Sequence, residues 1–303
     1  MTPDRTPSGG GGYRLIGLPN GTRTVFADAY GEGMHPGAGP AAEAEALYVG
    51  QLRLASRMRK HQGEFVVWDV GLGAAANALA VLRATRGCGC PLRLVSFDAT
   101  LEPLRFALGQ AAALGYFHGY EPVVARLLDT GQHEFTDGCH RVRWEARVGD
   151  FPTWLEQKVR SRAAPHAPEP ADAPDAIMFD PFSPTKNPAM WTRRLFENLH
   201  QSLQPGRPCA LATYSRSTLV RVALLLAGFF VGRGRPSGVK EETTVAANTP
   251  ALLEWPLDAA WLRQARRSNS AEPLHQPSYR QAALSPRSWA ALLAHPQFQA
   301  GQS

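Results

Sequence analysis

Four acidic residues are placed along the chain so that each falls within or directly after an apolar, strand-like run. They are Asp69, Asp98, Asp150 and Asp180. In an open α/β sheet, ligands bind beyond the carboxyl ends of the strands, near the point where the strand order reverses. We therefore expect these carboxylates to belong to one ligand site that consecutive loops build.

The first acid lies in a run that is typical of a nucleotide-binding turn. Residues 65–80 read FVVWDVGLGAAANALA, in which an apolar strand ends at Gly71-Leu72-Gly73 and an Ala-rich helix carrying Asn77 follows. The glycines let the backbone approach a ligand closely, and the helix N-terminus presents free amide groups. The run lacks a third glycine and the Gly-Lys-Ser/Thr ending of a phosphate-binding loop. An ordinary strand, turn and helix of an α/β core therefore stays an alternative.

Two further acids have positions that predict contacts with a nucleoside. Asp98 lies 25 residues after Gly73, close to the roughly 20-residue spacing at which an acid accepts hydrogen bonds from ribose hydroxyls. A carboxylate there also disfavours the 2′-phosphate of NADP. Asp150 follows Gly149 and is expected to accept a hydrogen bond from an adenine amine. The alternative for Asp150 is a cap on a helix that begins at residue 151 or 152.

Asp180 begins the segment Asp180-Pro181-Phe182-Ser183-Pro184, a stiff turn that carries an aromatic ring. An acid at a strand end followed by such a turn can hold a flat substrate against the ring while the carboxylate binds an amine of that substrate. The alternative is a rigid loop in which the acid only caps a turn.

Alternating strands and helices are predicted to position these acids. Asn20-Gly21 predicts a hairpin over residues 13–30; a Gly/Pro-rich loop and a helix over residues 41–60 follow. Further strands are predicted at 65–70, 92–97, 140–149, 176–179 and 210–214, a closing hairpin at 229–231 with 243–247, helices at 101–114, 121–128, 188–203 and 218–227, and a loop at 161–174. This order predicts an α/β fold with a Rossmann-like, doubly wound, mostly parallel sheet.

The domain organisation follows from the changes in composition. Residues 1–12 are interpreted as a leader without regular structure, residues 13–248 as the α/β domain with its N-terminal hairpin and helix, and residues 249–303 as a C-terminal extension. Three tryptophans, Trp255, Trp261 and Trp289, indicate that the extension docks on the domain.

Composition excludes several classes of protein. With 303 residues and 44% apolar content, the chain can bury a full α/β core. No run approaches the roughly 20 apolar residues of a membrane span, and the N-terminus lacks the apolar core of a signal peptide, so we expect a cytoplasmic protein without membrane contacts. The four cysteines and nine histidines form no metal-ligand spacing, and no metal is expected.

The charge balance favours a polyanionic partner. A net charge of +6 is compatible with nucleic acid, the alternative being an ordinary solvated basic face. Basic residues gather at Arg53, Arg57, Arg59, Lys60 and His61, at Arg193 and Arg194, at Arg216, Arg221, Arg233, Arg235 and Lys240, and at Arg263, Arg266 and Arg267.

Several motifs together resemble a known family. VWDVGLGAAANALA, VSFD ending at Asp98, RVGD ending at Asp150 and DPFSPTKNPAMW from Asp180 to Trp191 are similar to the class I, S-adenosylmethionine-dependent methyltransferase domain of the MnmC family. GCHR at 138–141 and the run at 211–229 also fit. The resemblance covers about residues 13–247, and its most specific part is the segment that begins at Asp180.

The resemblance implies N-methylation of an aminomethyl group on a 2-thiouridine at the tRNA wobble position. It implies a cofactor site with Gly71 and Gly73 at the turn and Asp69 beneath it. The predicted cofactor-binding residues are Glu43, Glu45, Asp69, Gly71, Gly73, Asn77, Asp98, Gly149 and Asp150, with the choice between Glu43 and Glu45 left open. The predicted tRNA-binding residues are Lys186, Arg216, Arg221, Arg233, Arg235 and Lys240.

Asp180 and Phe182 are the predicted catalytic residues. By the resemblance they line the acceptor pocket, and Asp180 orients the amine and accepts or passes on its proton. Because we find no FAD-dependent oxidase domain in the sequence, we expect a separate enzyme to supply the amine. The alternatives are a methyltransferase for a small-molecule or protein amine, an enzyme of the polyamine aminopropyltransferase type, and a tRNA-binding module without chemistry.

Overall fold

The computed structural model describes residues 12–35, 37–162, 173–236 and 241–299. Lys240, residues 1–11 of the predicted leader and most of the predicted loop at 161–174 lie outside these ranges. The strands are β1 Tyr13–Gly17, β2 Arg23–Ala27, β3 Glu32–Gly33, β4 Phe65–Val70, β5 Leu92–Asp98, β6 Gln132–Asp137, β7 His140–Val148, β8 Ala176–Phe179, β9 Ala210–Thr213, β10 Phe230–Gly234, β11 Thr243–Ala247 and β12 Trp255–Pro256.

The helices surround the sheet on both faces. They are α1 Pro40–Ala44, α2 Leu54–Met58, α3 Ala76–Thr85, α4 Glu102–Gly109, α5 Ala111–Leu114, α6 Glu121–Thr130, α7 Phe151–Arg162, α8 Arg193–Gln201, α9 Thr218–Leu226, α10 Ala259–Arg267, α11 Pro286–Leu293 and α12 Pro296–Gln299. A π-helical segment spans Glu45–Gly50, and 3₁₀ turns span Pro188–Trp191 and Pro250–Leu252.

Within the described residues, the main sheet has nine strands in the order β12-β10-β11-β9-β8-β4-β5-β7-β6. The five strands from β9 to β7 run parallel to one another, while β6 and β11 pair antiparallel at either side. The chain moves from β4 to β5 and β7 on one side and then returns to β8 on the other side of β4. The strand order therefore reverses between β4 and β8, and the predicted doubly wound, mostly parallel sheet is confirmed.

Strand β4 is buried along its whole length, and its side chains alternate between two apolar layers. Phe65 and Val67 pack in the layer that contains α2, α3 and α6, whereas Val66, Trp68 and Val70 pack against α7, α8 and α9. Both faces of a strand are covered when helices cross over from strand to strand. This burial explains why the strand reads as an almost continuous apolar run, and it fixes the turn that follows.

The N-terminal residues form a small sheet of their own, as the hairpin signal predicts. Strands β1 and β2 pair antiparallel, and β3 adds to β2. The single helix predicted over 41–60 is wrong, because the helical segment changes to π geometry at Glu45–Gly50 and is interrupted at Arg53, whose φ is 52°. The apolar content of this stretch does not reveal the break, since both halves bury side chains in the same core layer.

The residues after 249 pack on the same core as the rest of the domain. Strand β12 pairs with β10, and buried side chains of α10 and α11 join the layer around α8 and α9. Trp261 is buried, whereas Trp255 stays 46% exposed. Among the described residues, no helix combines the length and apolar character that crossing a membrane requires.

Candidate cofactor and acceptor site

A cleft of about 420 Å³ opens at the carboxyl ends of β4, β5, β7 and β8. This edge holds the switch point between β4 and β8, where ligands bind in folds of this kind. The volume lies in the range of about 300–1,000 Å³ that small-molecule sites occupy. Of the predicted site residues, those that line the cleft are Glu43, Gly71, Gly73, Asp98, Gly149, Asp150, Asp180 and Phe182.

The glycine turn is packed tightly between its neighbours. Gly71 has a φ of 96°, and a Cβ atom at this position would lie 2.6 Å from the Asp180 carbonyl oxygen. The Gly71 amide donates to the carbonyl of Phe97 over 2.9 Å. Only glycine meets both the backbone angle and the close approach, so this residue brings the ends of β4 and β8 together.

Asp98 connects the glycine turn to the end of β5. Its Oδ2 atom accepts a hydrogen bond of 2.8 Å from the Gly73 amide. Burial raises the pKa of Asp98, and the hydrogen bonds from the backbone partly offset that shift. The carboxylate is therefore held in place at the cleft wall.

Asp150 both caps a helix and lines the cleft. Its Oδ2 atom accepts from the Thr153 amide at 2.9 Å and from the Thr153 hydroxyl at 2.6 Å, at the start of α7. The capping alternative is thus seen in the structure, while the adjacent Gly149 and the Asp150 side chain still border the cleft.

Of the two glutamates left open by the sequence, Glu43 faces the cleft. Its Oε1 atom accepts a hydrogen bond of 2.7 Å from the Ala38 amide, and its Oε2 atom lies 3.7 Å from Nδ1 of His35. Glu45 is exposed and does not line the cleft. Of the two glutamates, Glu43 is therefore the candidate for a ligand contact.

Asp180 lies at the end of β8 among polar side chains. Asn77 donates a hydrogen bond of 2.8 Å to its Oδ2 atom, and the Nε2 atom of His35 lies 3.5 Å from the same oxygen. Burial raises the pKa of Asp180, while His35, Tyr48 and Asn77 act in the opposite direction. The carboxylate borders the cleft and has 13% of its side-chain surface exposed.

Phe182 forms an aromatic wall next to Asp180. Its ring stacks on Tyr30 with 4.0 Å between centroids and an angle of 14° between planes. The two loops are joined again where Ser183 donates from its hydroxyl to Glu32 over 2.5 Å. The N-terminal sheet therefore completes the wall that the Asp180 segment begins.

Asp69 and Asn77 lie behind the cleft wall rather than on it. Asp69 is fully buried and accepts a hydrogen bond of 2.8 Å from Ser96. Burial raises the pKa of Asp69 to about 7. Neither residue lines the cleft, and Asn77 reaches the site by its hydrogen bond to Asp180.

Comparisons with known proteins agree with this architecture. Residues 138–249 match a family described as S-adenosyl-L-methionine-dependent methyltransferase. The chain is 32% identical over 213 residues to the tRNA 5-methylaminomethyl-2-thiouridine biosynthesis bifunctional protein MnmC of Aeromonas hydrophila, covering 66% of this chain and 30% of that protein. It is 31% identical over 260 residues to the protein of the same name from Methylibium petroleiphilum, covering 82% and 36%. The chain carries an MnmC-like methyltransferase domain.

A solved structure shows the same fold. The crystal structure of MNMC2 from Aquifex aeolicus superposes with a TM-score of 0.67 at 22% identity, covering 94% of this chain and 84% of that one. The chain spans about a third of the length of the curated MnmC relatives. The fold is accordingly that of a Rossmann-like domain, and the match over residues 138–249 assigns the domain to the S-adenosylmethionine-dependent methyltransferases.

The basic residues predicted to bind tRNA differ in their surroundings. Arg221 is wrong as a phosphate ligand, because it is buried and donates to Glu242 over 3.0 Å and to the Thr243 carbonyl over 2.8 Å. Its position on the apolar helix α9 explains the burial. The half-exposed side chains of Arg233 and Arg235 pair with Glu242 and Glu254.

Lys186 and Arg216 are exposed near the rim of the cleft. Lys186 follows the Asp180 segment and has its Nζ atom next to Gly31. Arg216 comes two residues after Tyr214, which lines the cleft. Among the predicted tRNA-binding residues of the MnmC-like domain, these two are the nearest in sequence to residues that line the cleft.

Sequence reasoning missed His35, Tyr30 and Glu32. All three line the cleft and come from the Gly/Pro-rich loop and the strand before it. The loop has no periodicity, and its contact with the Asp180 segment joins residues about 150 positions apart. The one available signal was a histidine preceding a helix that already held a predicted ligand, Glu43.

Proposed function

We propose that this chain transfers a methyl group from S-adenosylmethionine to the amine of an aminomethyl group on a 2-thiouridine at the tRNA wobble position. The observation that carries the proposal is a carboxylate, Asp180, which borders the cleft beside the aromatic wall of Phe182 and Tyr30. The names of the MnmC relatives support the choice of nucleoside.

The donor set of the cleft fits S-adenosylmethionine. Glu43 suits the ammonium of the methionine part, Asp98 the ribose hydroxyls, and Asp150 the adenine amine, since each borders the cleft with a carboxylate. Gly71 and Gly73 leave backbone at the surface of the turn, where the donor must approach closely. Apolar side chains of Val70, Leu72 and Phe151 complete the lining.

The acceptor half of the cleft suits a flat ring with an amine substituent. Phe182, stacked on Tyr30, offers an aromatic surface for the pyrimidine. Asp180 stands at the end of β8, immediately before this surface, where it accepts hydrogen bonds from an ammonium. Charge-assisted hydrogen bonds of this type are the stronger class, so the carboxylate orients the amine.

S-adenosylmethionine supplies a methyl group that is already activated on a sulfonium. What remains for the protein is alignment of the two reactants and removal of one proton from the substrate ammonium. Asp180 accepts that proton on Oδ2 or Oδ1, which leaves the nitrogen lone pair free. Asn77 holds the carboxylate through Oδ2 while the proton moves.

The tRNA surface extends from the rim of the cleft along the carboxyl edge of the sheet. Lys186 and Arg216 meet phosphates there, with Arg233 and Arg235 further along the edge beside β10. Another reaction must supply the aminomethyl group, because the proposed reaction starts from a free amine.

The test is to supply methyl-labelled S-adenosylmethionine with three acceptor pools: bulk tRNA from a strain that lacks this protein, a protein extract, and small amines including polyamines. We expect label in tRNA only, in a nucleoside of the anticodon wobble position. Label in the protein or small-amine pool would overturn the proposal in favour of another amine acceptor. An Asp180→Asn variant that binds S-adenosylmethionine normally but labels nothing is the expected companion result.

A further inference from the structure

His35 lies between two carboxylates of the cleft. Its Nε2 atom is 3.5 Å from Oδ2 of Asp180, and its Nδ1 atom is 3.7 Å from Oε2 of Glu43. The side chain is 10% exposed and borders the cleft. The imidazole thus connects the carboxylate proposed to receive the substrate proton with the carboxylate proposed to bind the cofactor ammonium.

The backbone holds His35 in this position. Its φ is 60°, a left-handed conformation that costs a non-glycine residue free energy. The preceding residue is anchored to β2, since the Met34 amide donates to Val25 over 2.8 Å and the Thr24 hydroxyl donates to the Met34 carbonyl. Strained backbone of this kind clusters at functional sites, so the conformation of His35 indicates a role in the cleft.

The groups around Asp180 show what His35 contributes. Asn77 donates to the carboxylate from an uncharged amide. The buried phenols Tyr48 and Tyr214, together with the acids Asp69 and Glu43, make up the other titratable neighbours that act on Asp180 or are acted on by it. Of these groups, His35 is the one that carries a positive charge when protonated.

We propose that His35 is a positioning residue for methyl transfer, which acts through Asp180 by keeping this carboxylate ionised and turned towards the acceptor amine. The proposal rests on the function proposed above for Asp180. It adds a second role, in which His35 fixes Glu43 at the cofactor end through its other ring nitrogen. One imidazolium thereby positions a carboxylate at the acceptor end of the cleft and another at the cofactor end.

The electrostatics agree with this geometry. Burial lowers the pKa of His35, but the carboxylates of Asp180 and Glu43 outweigh burial, and the net shift is upward. Asp180 needs this cation because burial raises its own pKa. A protonated Asp180 cannot accept the proton of the substrate ammonium, so loss of the imidazolium moves the useful state of Asp180 to higher pH.

The test compares two ligands that do not involve tRNA. S-adenosylhomocysteine is neutral at the sulfur, whereas sinefungin carries an amine at the place of the sulfonium methyl. The ratio of their dissociation constants, measured by calorimetry against pH, reports the ionisation of a carboxylate facing that amine. The titration of the ligand itself is common to all protein variants, so a difference in midpoint belongs to the protein.

We expect the midpoint of this ratio to move up by about one pH unit in His35→Gln, because an opposite charge at this distance lowers a carboxylate pKa by about one to three units. His275→Gln, which removes a histidine 2.9 Å from Glu272 and outside the cleft, is the matched control and should leave the midpoint unchanged. His35→Asn is the second neutral variant if the Gln variant folds poorly.

An unchanged midpoint in His35→Gln and His35→Asn would overturn the proposal and leave His35 as a packing residue. A tRNA pool that accepts no methyl group would overturn the proposed function instead, and the two-ligand ratio would still be readable. A shifted acid limb in the pH profile of turnover, present in His35→Gln and absent in His275→Gln, is the result expected once the acceptor is in hand.

Discussion

Asp69 and Asp180 stand at neighbouring positions of the sheet edge, but their surroundings give them different tasks. Asp69 is fully buried and accepts from Ser96, whose own hydroxyl also receives the indole N–H of Trp144 over 2.9 Å. Asp180 borders the cleft and faces His35. The first residue is part of the buried hydrogen-bond network of β4, β5 and β7, and the second borders the cleft.

The buried Asp69 gives a prediction about stability against pH. Its pKa is raised from 3.8 to about 7, so the native state holds more protons than the unfolded state between these values. The free energy of unfolding therefore falls as pH rises through this window, by about 1.4 kcal/mol per unit of pKa shift. The side chain introduced by Asp69→Asn cannot ionise, so this loss is absent in the variant. The free energy of unfolding of Asp69→Asn minus that of the parent should therefore increase as the pH rises from about 4 to about 7.

Urea unfolding at pH 5 and pH 8 measures this difference. Asp180 and Asp98 are shifted in the same direction, so only the variant-minus-parent difference isolates Asp69. Asp28→Asn, at an acid that is half exposed and paired with Arg14, is the control and should show no such gain. Parallel stabilities of Asp69→Asn and the parent at both pH values would contradict the account.

Glu43 and Glu45 form a matched pair for testing the cofactor end. Glu43→Gln removes the charge that faces the cleft, so we expect S-adenosylmethionine to bind about tenfold more weakly, the effect of losing one charge-assisted hydrogen bond. Glu45→Gln, exposed and outside the cleft, should bind within about twofold of the parent. Calorimetric titration measures the dissociation constant of each variant. Equal losses of affinity in both variants would mean that the helical segment as a whole, and not the Glu43 carboxylate, determines binding.

At the scale of elements, the turn after β4 and the loop after β8 depend on each other. Gly71→Ala places a Cβ atom 2.6 Å from the Asp180 carbonyl at a φ of 96°. We expect the free energy of unfolding to drop by about 2–4 kcal/mol and turnover to fall as Asp180 is displaced. Gly87→Ala, where nothing lies within 4 Å, is the control for urea unfolding. A Gly71→Ala protein with normal stability and turnover would contradict the tight packing.

Arg221 in helix α9 and Arg216 in the loop before it are predicted to have different roles, the first in stability and the second in tRNA binding. Arg221→Ala should lower the free energy of unfolding by about 2–3 kcal/mol, since it removes the buried donor to the Thr244 hydroxyl and the Thr243 carbonyl and one of the two cations at Glu242. It should leave the salt dependence of tRNA binding unchanged. Arg216→Ala should be neutral in stability and reduce the slope of log affinity against log salt by about one. Filter binding at several salt concentrations, with urea unfolding alongside, checks both. The reverse pattern would refute the assignment.

The sequence predicts elements well where they are long and periodic. Strands β4, β5, β7, β8 and β9 fall within a residue or two of the expected positions, because β7 alternates apolar and polar residues and the other four are apolar runs bounded by turn signals. The helix expected at 41–60 is wrong because a π segment and the left-handed Arg53 break it, although the residues on both sides of the break pack in one core layer. Strand β6 was missed, since its alternate residues are exposed at the sheet edge.

The site follows the same logic. Acids at strand ends could be placed from the topology alone, because parallel strands bring their carboxyl ends to one edge. Residues that reach the cleft from an irregular loop, as His35 and Tyr30 do, depend on contacts between distant parts of the chain. The burial of Arg221 is another tertiary effect, since a basic residue in an apolar helix reads equally well as a surface cation.

At the scale of the whole molecule, the two core layers and the docked C-terminal residues hold the carboxyl edge of the sheet as one surface. The cleft, the exposed cations Lys186 and Arg216 and the ends of β8 to β10 all lie along this edge. Under the proposed function, a tRNA that enters here presents its wobble base to Asp180 while its phosphates meet the rim. The net charge of +6 favours the same encounter.

The central claim is that this surface methylates an amine on the wobble nucleoside. The most direct measurement offers the full chain an anticodon stem-loop carrying 5-aminomethyl-2-thiouridine, and the same stem-loop unmodified, with methyl-labelled S-adenosylmethionine. Mass spectrometry of the nucleosides should find one labelled methyl on the aminomethyl nitrogen of the first and none on the second. Label on another atom, or equal label in both stem-loops, would contradict the account.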